Sequence, residues 1–181
     1  MKVFASYALA IIGAGMILLV LMQALAGSLK YPHGRLMLIN MLRTNPNKAE
    51  QLCFSMPNTF FSAIGAVMKA LALTGSRDPK LLSQTSVPTY DGACMMIDAH
   101  WKGLLLKVKM GAMAGVAAFA IGLSGGVPPI PVIILALFIL GAAGWLVFRK
   151  SEVDSSLRLA RAEILPEVER AFVDGRYVKY G

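Results

Sequence analysis

The chain predicts an all-α integral membrane protein: three transmembrane helices and a helical cytoplasmic lobe formed by extended hairpin arms and short loop helices. Three observations predict it. Residues 110–148 hold no charged side chain, yet the stretch is about twice as long as one helix needs to cross a bilayer. Hydrophobic residues make up 56% of the chain and charged ones 15%, with a mean hydropathy of +0.62, which is far from an ordinary soluble domain. Finally, in the mixed segment after residue 30 polarity does not alternate with period two, so no sheet is expected.

The uncharged stretch must fold back on itself. Its turn is written at Ser124-Gly125-Gly126-Val127-Pro128-Pro129-Ile130-Pro131, where glycines free the backbone and prolines forbid continued helical bonding. Residues 103–148 therefore form a transmembrane helical hairpin. Its first arm is short in its uncharged part and borrows residues 103–109, whose lysines snorkel toward the headgroups.

At the start of the chain, Met1-Lys2 precedes an uncharged run over residues 3–29. Ala24-Leu25-Ala26 before Gly27 matches a signal-peptidase site, but the apolar run of about twenty residues exceeds a leader core of 7 to 15. Residues 1–29 are read as a retained first transmembrane helix. Ala10, Gly13, Ala14 and Gly15 permit close helix approach there, and Ile17 to Met22 form a bulky face.

Residues 30–102 read as a cytoplasmic helical segment. Over 30–109, Lys30, Arg35, Arg43, Lys48, Lys69, Arg77, Lys80, Lys102, Lys107 and Lys109 face only Glu50, Asp78, Asp91 and Asp98, which the positive-inside rule assigns to the cytoplasm. The tail, residues 149–181, opens with Arg149-Lys150 and falls on the same side. The predicted topology is a bacterial inner-membrane protein with its N-terminus outside and its loop and tail inside.

Within that segment, a polar residue beside a proline repeatedly opens a run of helix formers, at Asn45-Pro46, Met56-Pro57-Asn58, Asp78-Pro79 and Val87-Pro88-Thr89. Proline suits a first helical turn and Asn, Asp or Thr beside it can cap. Short helices are predicted over 32–43, 46–54, 59–73 and 79–84, with Gly75 as a stop. After a break at Pro88, a further helix runs from 89 into the hairpin. Beyond the membrane, 149–172 reads as a helix that Pro166 kinks or restarts.

The spans are rich in packing signals. Gly111, Gly115, Ala118 and Gly122 mark the first hairpin arm, Gly141 and Gly144 the second, and Ala10 and Ala14 the first helix. Small-residue faces let helices approach closely, within one chain or between copies. Lys102, Lys107, Lys109, Arg149 and Lys150 sit where lipid headgroups are expected.

Signals of chemistry are scarce. The chain holds no phosphate-binding glycine loop, HExxH, GxSxG or paired acidic cluster, so no catalytic, cofactor-binding or metal residue is assigned and no enzyme activity is expected. The net charge of +8 lies beside apolar spans without interleaved aromatics, which fits anionic lipid and not nucleic acid. Cys53 and Cys94 match no metal or redox spacing and read as reduced, buried hydrophobes. His100 with Trp101 reads as an interfacial anchor, and Asp91 and Asp98 as partners of Arg or Lys. The spans hold no ionisable residue, so an ion path of this chain alone would have only Ser6, Tyr7, Gln23, Ser124 and backbone.

One outer-to-inner helix, a helical cytoplasmic segment, a hairpin with extended arms and a helical tail together resemble the MotA/TolQ/ExbB family of membrane subunits. The stretch from Leu42-Arg43-Thr44-Asn45-Pro46 to Leu52, followed by residues 58–71, is similar to that family's short cytoplasmic helices. The resemblance implies a pentamer surrounding a dimeric, single-span membrane partner that carries the proton-binding aspartate. The expected function is an oligomeric inner-membrane subunit, stator-like or scaffold-like, in contact with membrane lipids. The alternative is a membrane-anchored cytoplasmic module that binds a soluble partner or anionic lipid.

Overall fold

The structure, a computed structural model, describes residues 2–25, 30–126 and 129–177. Its helices are α1 (Lys2–Leu25), α2 (Tyr31–Thr44), α3 (Pro46–Ser55), α4 (Phe60–Thr74), α5 (Pro79–Ser124), α6 (Pro129–Glu163) and α7 (Leu165–Val173). No strand occurs among the described residues. Among the described residues, three helical stretches are long and apolar enough to cross a membrane, Phe4–Leu25, Pro79–Ser124 and Ile133–Val173, at mean hydropathies of 2.4, 1.7 and 1.9. The chain divides into two compact units: Met1–Ala26 with Trp101–Ser151, and Gly27–His100 with Glu152–Gly181.

In the first unit, glycine sets the spacing of the helices. A Cβ on Gly13 of α1 would sit 2.8 Å from the Gly111 carbonyl oxygen of α5, and one on Gly115 would sit 2.5 Å from Cδ1 of Ile139 on α6. At Gly13 the obstacle is backbone, so only hydrogen fits and the two backbones come together there; at Gly115 it is the tip of the Ile139 side chain, which packs over the glycine. Ile17, Ile139 and Ala142 are buried around this contact, with Leu21, Ala112 and Leu135 packed against them. The Ser6 hydroxyl donates to the Ala118 carbonyl at 2.7 Å, which fixes α1 antiparallel to α5. Where the hairpin turn is predicted, α5 ends at Ser124, Gly125 N–H donates to Gly122 O at 3.0 Å, and Gly126 has φ of +74°. Helix resumes at Pro129; Val127 and Pro128 lie outside the described residues.

The second unit is organised on α4. Phe61, Ala63, Ile64, Val67, Met68 and Leu71 are fully buried, and α3 lies close enough that a Cβ on Gly65 would meet the Cys53 Cβ at 2.9 Å. Phe60 stacks on Phe61 and meets Tyr31 in a T-shaped arrangement at a centroid distance of 5.1 Å. The helix ends follow the expected signals. The Asn45 side chain accepts from Lys48 N–H, and Gly75 ends α4 in the left-handed conformation. At the end of α7, Gly175 (φ +68°) lets Arg176 N–H reach Ala171 O at 3.1 Å, a Schellman closure. Pro166 stands in the first turn of α7, so the interruption expected there falls between Glu163 and Leu165.

Separate helices were predicted over 79–84 and from 89, with a break at Val87-Pro88-Thr89; that expectation is corrected. Helix α5 runs unbroken through Pro88. An interior proline costs about 3 kcal/mol and frees one carbonyl, here that of Gln84. Tertiary anchors on either side outweigh this cost. The buried Ser86 hydroxyl donates to the Glu169 carboxylate, the buried Tyr90 hydroxyl donates to Leu157 O at 2.7 Å, and Arg161 pairs with Asp91 at 3.1 Å. The hydroxyls of Thr85 and Thr89 turn back on the Leu81 and Thr85 carbonyls. Local sequence argued for a stop, and contacts with α6 and α7 override it.

Candidate functional site

The small residues singled out in the sequence separate into two groups by what surrounds them. Gly111 and Gly115 are occupied by contacts inside the first unit, as is Gly13; Ala118 and Gly122 are buried there as well. Gly141 and Gly144 on α6 are exposed, and a Cβ on either would meet nothing within 4 Å. Ala10 and Ala14 are half-buried and border a groove of about 210 Å³ between α1 and α6. Ile11 and Leu135 line its walls, and Ala118 of α5 lies at its floor. Ser6 opens on the groove too, but its hydroxyl proton is committed to the Ala118 carbonyl.

The cations expected at headgroups differ in exposure. Lys102, Lys107 and Lys109 are exposed, whereas Arg149 and Lys150 are half-buried. The Arg149 guanidinium lies 5.8 Å from the Trp145 ring centroid, a cation–π distance. All ten acidic residues fall in the second unit, so the first carries only Lys and Arg as charged side chains. Trp101, expected as an amphipathic anchor beside His100, is 5% exposed, and its indole N–H has no acceptor among the described residues.

Polar contacts in the second unit join elements instead of converging on a point. Glu163 accepts from the Tyr31 hydroxyl at 3.0 Å and pairs with Arg35 at 2.6 Å, bringing α2 to the end of α6. Glu167 pairs with Arg43 at 3.0 Å and with Arg170 at 3.2 Å. Tyr177 stacks on Phe172 and donates to Glu50. Burial raises the Tyr31 and Tyr177 phenols above their ordinary range, and the accepting carboxylates Glu163 and Glu50 push the same way. Burial likewise pushes the Cys53 thiol up to about 12, so it stays protonated at neutral pH and is no activated nucleophile. Cys53 and Cys94 are both free thiols, buried and half-buried respectively. Asp91 finds the Arg partner expected for it. Among the described residues no three His, Cys, Asp or Glu side chains gather as a metal-ligand set.

The pairing of Gly13 with Gly111 and the short approach of Gly115 to Ile139 needed the structure, because a glycine stripe in the sequence does not say which face it opens. Comparison with family models, curated proteins and solved structures returns no match.

Proposed function

We propose that the protein is an oligomeric membrane subunit, stator-like or scaffold-like, that assembles through the apolar faces of its spans. The observation that carries this reading is the open small-residue face at Gly141 and Gly144. The internal contacts of the first unit use Gly13, Gly111 and Gly115, and leave these two unspent on an exposed, apolar helix face. The resemblance to MotA/TolQ/ExbB subunits favours a pentamer around a partner's single transmembrane helix, in a bacterial inner membrane with the N-terminus outside and the second unit in the cytoplasm. Residues 110–148 hold no ionisable side chain, so a transduced proton would bind a group on that partner.

The test is the mass of the full chain in mild detergent, together with the Gly141→Leu/Gly144→Leu variant. A multimer that the double substitution dissociates is the expected result, and a clean monomer defeats the proposal. The buried core of the second unit favours one other reading, a membrane-anchored module for a soluble partner or anionic lipid. Segments 27–100 and 152–181, joined by a linker, should then fold and bind without the spans; an unfolded product sets that reading aside.

A further inference from the structure

We infer that residues 174–177, which follow α7, form a strap that fastens α3 to the second unit, and that its release bares Cys53 and the seam between α3 and α4. One glycine builds the strap. Gly175 (φ +68°) reverses the chain, and the N–H groups of Gly175 and Arg176 donate back to Phe172 O and Ala171 O at 3.1 Å each. Tyr177 then lies over Phe172, with ring centroids 4.5 Å apart and planes 23° from parallel, and its hydroxyl donates to the Glu50 carboxylate of α3. A Cβ on Gly175 would meet the Arg77 guanidinium at 3.0 to 3.1 Å, so the loop between α4 and α5 grips the same turn. Within the strap, Arg176 pairs with Asp174 at 2.7 Å.

Helix α3 is the element that such a strap controls. It has ten residues, fewer than the roughly 12 to 15 that an isolated helix needs in water, so it persists by docking. Its inner face is Pro46, Ala49 and Cys53, packed toward α2 and α4, while Lys48, Gln51, Phe54 and Ser55 are exposed. Helix α7 also packs on α2 and α4, and Tyr177 adds a direct tie from α7 to α3. The tie falls beside the thiol. Glu50 stands one turn before Cys53, and its carboxylate adds to burial in raising that thiol. A short helix held at its edge by a chain end opens locally at less cost than the whole unit unfolds.

The full chain carries its own reporter, because Cys53 is buried against Gly65 of α4. Tyr177→Ala removes the ring and the hydroxyl together. Maleimide labelling of Cys53 under native conditions, read by mass mapping, should quicken by about tenfold, as expected for losing one hydrogen bond and one aromatic contact. Hydrogen exchange of the α3 amides should quicken with it, and that of the α4 amides should match the parent. Tyr177→Phe is the milder change; it keeps the ring and should fall between the parent and Tyr177→Ala in both readouts. Labelling of Cys53 at the parental rate in Tyr177→Ala overturns the inference. Equal acceleration of exchange in α3 and α4 overturns it too, because the tail would then stabilise the unit as a whole and fasten no one helix. If Tyr177→Ala does not fold, Tyr177→Phe decides alone: faster exchange confined to α3 supports the strap, and parental exchange there defeats it.

Discussion

Substitution at Gly13 separates a glycine that sets a helix contact from one that merely lies on a helix. Valine at Gly13 places a Cβ at 2.8 Å from the Gly111 carbonyl oxygen and near the Gly115 nitrogen, about half an ångström inside ordinary contact. The obstacle is backbone, so α1 must back away and the Ile17–Ile139 contact opens with it. Overpacking of this kind costs about 1 to 3 kcal/mol, and the added branches put valine near the upper end. At about 2 to 4 °C per kcal/mol for a chain of this size, melting should fall by about 4 to 12 °C. The matched control is Gly15→Val, which meets nothing within 4 Å and should shift melting by no more than about 2 °C. Both tryptophans, Trp101 and Trp145, belong to the first unit, so intrinsic fluorescence during heating in detergent reads the affected region directly. Equal shifts for the two variants, or a Gly13→Val protein that melts like the parent, would refute the close-approach argument.

Other outcomes follow from the second unit. Tyr90→Phe removes a buried hydroxyl that donates to Leu157 O; the expected loss is about 1 kcal/mol, visible as a lower denaturation midpoint. Pro88→Ala restores a helical N–H to a helix already continuous there and should raise stability by about 1 to 3 kcal/mol; a fall would mean the proline shapes the helix. Maleimide at neutral pH should label half-buried Cys94 well before buried Cys53, and mass mapping of the labelled peptides decides it. The raised thiol of Cys53 also has a pH consequence. Between its ordinary value of 9.0 and about 12, the unfolded chain gives up a proton that the folded chain keeps. Stability therefore declines as pH rises through that window, with Tyr31 and Tyr177 acting in the same direction above 10. Chemical denaturation at pH 8 and pH 10.5, with Cys53→Ala as reference, measures the cysteine's share.

Periodic, local features were legible in the sequence. The charge-free stretch announced long apolar helices, Asn45 and Gly75 announced helix ends, and Pro166 announced an interruption; each depends on residues within a few positions of one another. Pro88 misled for the complementary reason. What keeps α5 intact there is Ser86 reaching Glu169 and Tyr90 reaching Leu157, contacts between residues far apart in the chain that no local pattern carries. The candidate site divided in the same way. Gly111 and Gly141 look alike as letters, yet one is closed by Ile17 and Gly13 and the other is open. Which way a glycine faces depends on helix rotation, and that is set by packing against neighbours.

The separation of charge between the units has a consequence for acid–base behaviour. No Asp, Glu, His or Cys lies in Met1–Ala26 or Trp101–Ser151, and the charged side chains there are Lys and Arg alone. A carboxylate or imidazole that binds and releases a proton must therefore come from outside that unit. A response of the intact protein to moderate acid would therefore locate its sensor elsewhere, among the carboxylates and histidines of the second unit or on whatever the apolar helices enclose.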